Sequence, residues 1–182
     1  MSVAGRGWED RFMRKEQKIV AIGAASGIAA MLAGMFGLSS LMPALPVTAD
    51  AGERLAFAAQ WTALAALPLF LAITAVGNAR FKSDAIDPTA GKDDRAMIIN
   101  GRMVDNTLQQ FALFVSASFA VAASAAGNAL NVIAMGAIIF VVARLAFWVG
   151  YRVDPLYRAF GMAATSYLNV VLFGTAIWQA WQ

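Results

Sequence analysis

Residues 19–42 contain no charged side chain. A helix needs about 20 predominantly apolar residues to cross the roughly 30 Å hydrocarbon core of a bilayer, so this segment is long enough to span. The apolar core of a cleavable leader runs only about 7–15 residues, so the segment reads as a retained transmembrane helix. Four further stretches have the same character: residues 55–78, 102–126, 129–151, and a last one from the Asp154-Pro155 pair nearly to Trp181. With 60% hydrophobic and 14% charged residues in 182, little chain is left for anything but short connections and an arm. An ordinary soluble domain is closer to half apolar and a quarter charged. The expected fold class is an all-α integral membrane protein of five transmembrane helices in contact with the lipid bilayer.

The connections are marked by residues that cannot continue a helix. Pro43 and Pro46 stop the first span, because proline lacks the N–H and restricts the residue before it. Pro68 lies inside the second span and predicts a kink, which a membrane bundle tolerates where neighbouring helices satisfy the freed groups. Residues 80–101 form the long polar connection, broken by Pro88 and Gly91. Gly127-Asn128 predicts a tight turn, and Asp154 followed by Pro155 reads as an N-cap with proline in the first helical position. Cytoplasmic loops carry the excess of Lys and Arg. Five lie in the arm over residues 1–18, five in residues 79–106 and two in residues 150–158, whereas the other side has Arg54 alone. The expected topology puts the N-terminus in the cytoplasm and the C-terminus across the membrane, with a bacterial inner membrane as the expected location.

Several chemistries are excluded by composition. The chain has no Cys and no His, so it has no disulfide, no thiolate nucleophile, no Ser-His-Asp arrangement and no ordinary zinc or haem ligation. No metal is expected. The net charge of +3 is small and its basic residues are scattered, without the basic stripe and interleaved aromatics of nucleic-acid binding. Small residues recur at helix-packing spacing, as in Gly23/Gly27, Ala30/Gly34, Ser116/Ala120/Ser124 and Ala123/Gly127, and they allow close backbone approach. That approach serves packing within one chain or between subunits.

Ionisable groups at membrane depth are costly and mark sites. Arg102, Asp105, Asn106 and Gln109 share one helix face by their i, i+3, i+4, i+7 spacing. Arg144, Phe147, Trp148 and Tyr151 repeat that spacing at the same end of the next span, and Arg158 follows close by. One reading is an anion pocket opening to the cytoplasm and faced by Arg102, Asn106, Arg144, Tyr151 and Arg158, since guanidinium forks suit carboxylates. The other has Arg102, Arg152 and Arg158 snorkelling to lipid phosphates, with Arg144 paired internally, for instance to Asp105.

These stretches resemble the MAPEG family, the membrane-associated proteins of eicosanoid and glutathione metabolism. The family's Arg-x-x-x-Asn-x-x-Glu pattern is matched by Arg102-Met-Val-Asp-Asn106-Thr-Leu-Gln109. Its Arg-x-x-Tyr-x-x-Gly-Tyr pattern is matched by Arg144-Leu-Ala-Phe147-Trp-Val-Gly150-Tyr151, with Arg158 at a further family arginine and Arg80 near another. The resemblance covers roughly residues 55–180. It implies a four-helix bundle over residues 55–182 with residues 19–42 as an added helix, a homotrimer, and glutathione bound between subunits. By the same resemblance, Arg80, Arg102, Asn106, Gln109, Arg144 and Tyr151 would be the glutathione-binding set and Arg158 the catalytic cation beside the thiol. A cation there lowers the thiol pKa and raises its nucleophilic fraction.

The sequence departs from the family at Gln109, where the pattern has Glu, and at Phe147, where it has Tyr. Val104 and Gln110 are further departures. Losing a hydrogen bond to a charged group costs about 1.5–3 kcal/mol, roughly one to two decades of affinity. Two functions follow. One is a glutathione-dependent transferase or peroxidase acting on lipophilic small molecules. The other is a non-catalytic accessory or structural subunit, in contact with other membrane protein subunits, favoured by the added helix, the altered pocket and a polar arm that needs a partner to be ordered. Neither an inverted repeat nor an acidic ring supports a transporter or channel.

Overall fold

The computed structural model describes residues 14–42, 49–125 and 127–181. Residues 1–13 of the polar arm, Pro43 and Pro46 therefore lie outside the described residues. Among the described residues six α-helices make up the bundle: α1 (Lys15–Ser39), α2 (Ala51–Ala65), α3 (Leu67–Phe81), α4 (Arg95–Ser124), α5 (Asn131–Val153) and α6 (Ala159–Ala180). Helices α2 and α3 form one span broken at Ala66, so five helical segments are long and apolar enough to cross a membrane. The chain is an integral membrane protein.

The break follows from Pro68, whose missing N–H leaves the ladder open one turn back. The chain tightens there: Ala66 N donates to the carbonyls of Thr62 and Ala63 at 3.0 and 3.3 Å, and Phe70 N resumes the helical pattern on Ala66 at 3.0 Å. Carboxylates set the starts of α2 and α4. Asp50 Oδ1 accepts from Glu53 N at 2.8 Å while Asp50 N donates to Glu53 Oε2 at 3.0 Å, a reciprocal capping box that starts α2 before residue 55.

Asp94 Oδ1 accepts from Met97 N at 2.8 Å and starts α4 at Arg95, well before Arg102. The added turns are retained because Met97, Ile99 and Asn100 are buried, which shortens the polar connection. Replacing Asp94 by Ala is expected to cost about 0.5–2 kcal/mol of stability, measured by reversible unfolding in mixed micelles; no change would mean that packing of the first turn outweighs the cap. Asp154 Oδ1 accepts from Leu156 N at 2.8 Å, and Pro155 opens a 3-10 turn over Pro155–Arg158 before α6 begins. The Gly127 turn likewise enters a 3-10 segment, Gly127–Leu130, with Gly127 at φ 55°.

Helix α5 is the centre. Its first seven residues are all buried, and an element apolar on every side belongs inside a bundle. Phe140 meets Phe114 of α4 at a centroid separation of 5.1 Å, and Leu168 and Leu172 of α6 close the same core. Deep in the bundle, Asn169 Nδ2 donates to the Gln110 carbonyl at 3.1 Å and to its Oε1 at 3.0 Å, tying α6 to α4. Helix α1 lies outermost against α5 and α6. Only Gly27 and Met31 of α1 are buried, while Ile22, Leu32 and Phe36 point outward, as a lipid-facing surface requires.

Candidate functional site

The start of α4, the end of α5 and the start of α6 meet at one end of the bundle, beside the first turns of α1. A cavity of about 410 Å³ opens there, within the range of roughly 300–1,000 Å³ usual for small-molecule sites. Arg102 and Asn106 of α4, Tyr151 of α5 and Arg158 of the 3-10 turn line it. Phe147, Leu156, Met162 and Val20 supply much of its apolar wall. Among the described residues no carboxylate lines this cavity.

The arginines are held in different ways. Arg158 Nη1 donates to the Pro155 carbonyl at 3.0 Å, and its guanidinium carbon stands 5.2 Å from the Tyr151 ring centroid. Tyr151 in turn meets Phe147 edge-on at 5.7 Å. The ring pair thus fixes the floor against which Arg158 rests. Arg102 is exposed at the cavity mouth.

Arg144 is placed otherwise than facing the cavity. It is fully buried behind the wall, and no pairing to Asp105 occurs. Its Nη2 donates to Asn106 Oδ1 at 2.8 Å and to Thr107 Oγ1 at 3.0 Å. Its Nε reaches the same Thr107 hydroxyl at 3.2 Å, and Nη1 reaches Thr165 Oγ1 at 3.2 Å. The Phe147 ring covers the guanidinium at 4.0 Å, a cation–π contact of the kind that is strongest when desolvated. Phe147, a departure from the family pattern, is therefore both a wall of the cavity and a cover for a buried cation.

This network dictates the orientation of Asn106. Guanidinium groups only donate, so the Asn106 oxygen must turn toward Arg144, and its amide nitrogen remains as a donor on the cavity side. The threonine hydroxyls are polarised in the same sense. Each accepts from Arg144 and passes its own proton on, Thr107 to Met103 Sδ at 2.7 Å and Thr165 to the Gly161 carbonyl at 3.0 Å. The polar lining is cationic and donor-rich, suited to a ligand that carries carboxylate or phosphate groups.

Two other sequence candidates stand apart from the cavity. Gln109 is exposed on the outer face of α4. Arg80, at the end of α3, pairs with Asp93 at 2.8 Å. Thr107, Thr165 and Val20 went unremarked in the sequence. The two threonines carried a signal, since hydroxyls in spans turn toward neighbouring helices; Val20 carried none. Among the described residues no group of three His, Cys, Asp or Glu side chains is placed to hold a metal ion.

These features define a polytopic helical-bundle membrane protein with an arginine-lined cavity at one end. The chain matches the MAPEG family model over residues 58–178 of 182; it belongs to the MAPEG family, whose membrane proteins serve glutathione and eicosanoid metabolism. Comparison with the curated proteins and with the solved structures gave no match. Helix α1 precedes the matched region.

Proposed function

We propose that this cavity binds glutathione and that the protein is a glutathione-dependent transferase or peroxidase acting on lipophilic electrophiles. The observation that carries the reading is that Arg102, Asn106, Tyr151 and Arg158, each at a position of the family pattern, line one cavity with no competing carboxylate among the described residues. Bound glutathione would supply a thiol nucleophile. In this reading Arg102 and the Asn106 amide hold carboxylate and peptide oxygens, Tyr151 lies along the peptide, and Arg158 stabilises the thiolate, as a nearby cation does. Apolar Leu156 and Met162 give a lipophilic partner a wall to lie against.

The donor set fits the two carboxylates of glutathione and leaves its ammonium without an acidic partner in the described lining. This favours a second reading, a non-catalytic subunit whose cavity holds another anion. Assembly is part of either proposal. Asp105 and Gln109 are exposed on the outer face of α4, and polar groups at that depth are better placed against another subunit than against lipid. A homotrimer is the assembly the family implies. In this proposal the cavity faces the cytoplasm, a reading supported by the excess of Lys and Arg at that end.

Calorimetric titration of glutathione into detergent-solubilised protein tests the first reading. Millimolar or tighter binding is expected, weakened about tenfold or more in Arg158→Ala. Absence of heat at several millimolar would overturn it in favour of the second.

A further inference from the structure

We propose that α1, which lies outside the region shared with the family, is a working wall of the cavity that closes its α1–α6 side to the bilayer. Val20 of α1 lines the cavity opposite residues of α4 and α5. The far face of α1, at Ile22, Leu32 and Phe36, is exposed and apolar, so the helix stands between the cavity and lipid. It is held there by backbone contact with α6. A Cβ placed on Gly27 would come within 2.9 Å of the Phe160 carbonyl carbon, and one on Gly23 within 3.2 Å of the Ala159 Cβ. Contacts this close leave no room for an acyl chain to pass.

The same seam opens again deeper in the membrane. Beyond the Gly27–Phe160 contact lies a groove of about 220 Å³ between α1, α5 and α6, lined by Met31, Gly34, Ile139 and Val142 among other apolar residues. The seam thus holds a cationic chamber on one side of the contact and a lipid-facing groove on the other, and the two glycines keep them apart. Arg158 directly precedes the Ala159–Phe160 segment against which α1 rests, so the barrier and the cation share one support. A lipophilic molecule would then reach the chamber by another route than the α1–α6 seam.

This role rests on the cavity being the ligand site proposed above, but its test needs no ligand. The chain has no cysteine, so Met162→Cys places a single thiol on the cavity wall. In vesicles, a long-chain alkyl maleimide dissolved in the bilayer is expected to label that thiol slowly. Adding Gly27→Leu should raise the rate about tenfold or more, because the side chain forces α1 off α6. Equal rates with and without Gly27→Leu would overturn the proposal. Should that variant fail to fold, Val20→Trp, at a position 39% exposed, fills the chamber instead. It should slow labelling of Met162→Cys by a water-soluble sulfonated maleimide about tenfold, and an unchanged rate would overturn the proposal equally. Failure of glutathione to bind, with the labelling as expected, would remove the ligand reading and leave the wall.

Discussion

Replacing Thr107 and Thr165 together by Val is expected to destabilise the protein more than removing Arg144 itself. Valine keeps the shape of threonine and deletes the two hydroxyls that accept three of the four side-chain hydrogen bonds made by Arg144. The guanidinium would remain buried with Asn106 as its single hydrogen-bond acceptor. Uncompensated buried charge costs about 3–5 kcal/mol, and that is the expected loss in the double variant. Arg144→Met removes the charge along with its bonds and leaves chiefly Asn106 Oδ1 orphaned, at about 1–3 kcal/mol.

The two effects should therefore be non-additive, with Arg144→Met rescuing much of the damage in the Thr107→Val, Thr165→Val background. Reversible unfolding in mixed micelles measures all four proteins of the cycle. Simple additivity would mean that Arg144 does not depend on the threonines and that water or lipid phosphate reaches it. Ligand binding should separate the variants further. With Arg144 absent, the Asn106 amide is free to flip, and anion affinity at the cavity should fall even where the fold survives.

Gly161→Ala is expected to destabilise by about 1–3 kcal/mol, although glycine to alanine inside a helix ordinarily stabilises by roughly 0.5–1 kcal/mol. The sign is reversed by packing. At the α5–α6 crossing, a Cβ on Gly161 would stand 2.6 Å from Phe147 N and Cβ, and the Ala143 carbonyl is also in its path. Backbone cannot yield as a flexible side chain does, so the helices must part. Because Phe147 covers Arg144 and Thr165 binds it, the displacement reaches the cavity wall. Gly174→Ala is the control, since nothing lies within 4 Å of a Cβ there, and it should follow the ordinary stabilising rule. The pair is read by the same unfolding measurement. A stabilising Gly161→Ala would contradict the close crossing.

The sequence alone determined the class of this protein, because the energetics of burying a backbone in hydrocarbon leave few choices. Five charge-free or nearly charge-free stretches of spanning length admit helices and little else, and the residues that end or kink them, Pro68, Gly127 and the Asp154-Pro155 pair, act through local backbone chemistry that needs no neighbour. The two arginine-bearing patterns were local too, and they located the family. Boundaries were less legible where capping and packing compete with polarity. Residues 95–101 adjoin the charged run 92–95 and read as its continuation, although Ala96, Met97, Ile98 and Ile99 are apolar; they form the first two turns of α4, whose inner face is buried.

What each arginine does was decided by tertiary structure. Arg102, Arg144 and Arg158 look alike in sequence and are all one helical repeat or less from an aromatic or amide partner. Only the crossing of α5 with α4 and α6 puts Arg144 among Thr107, Thr165 and Phe147, out of reach of Asp105, and leaves the other two at the cavity. Spacing along one helix fixes which residues share a face, but not which face another helix covers. For the same reason Val20, in a featureless apolar run, could be recognised as a wall of the cavity only once α1 was seen resting on the backbone of α6 through two glycines.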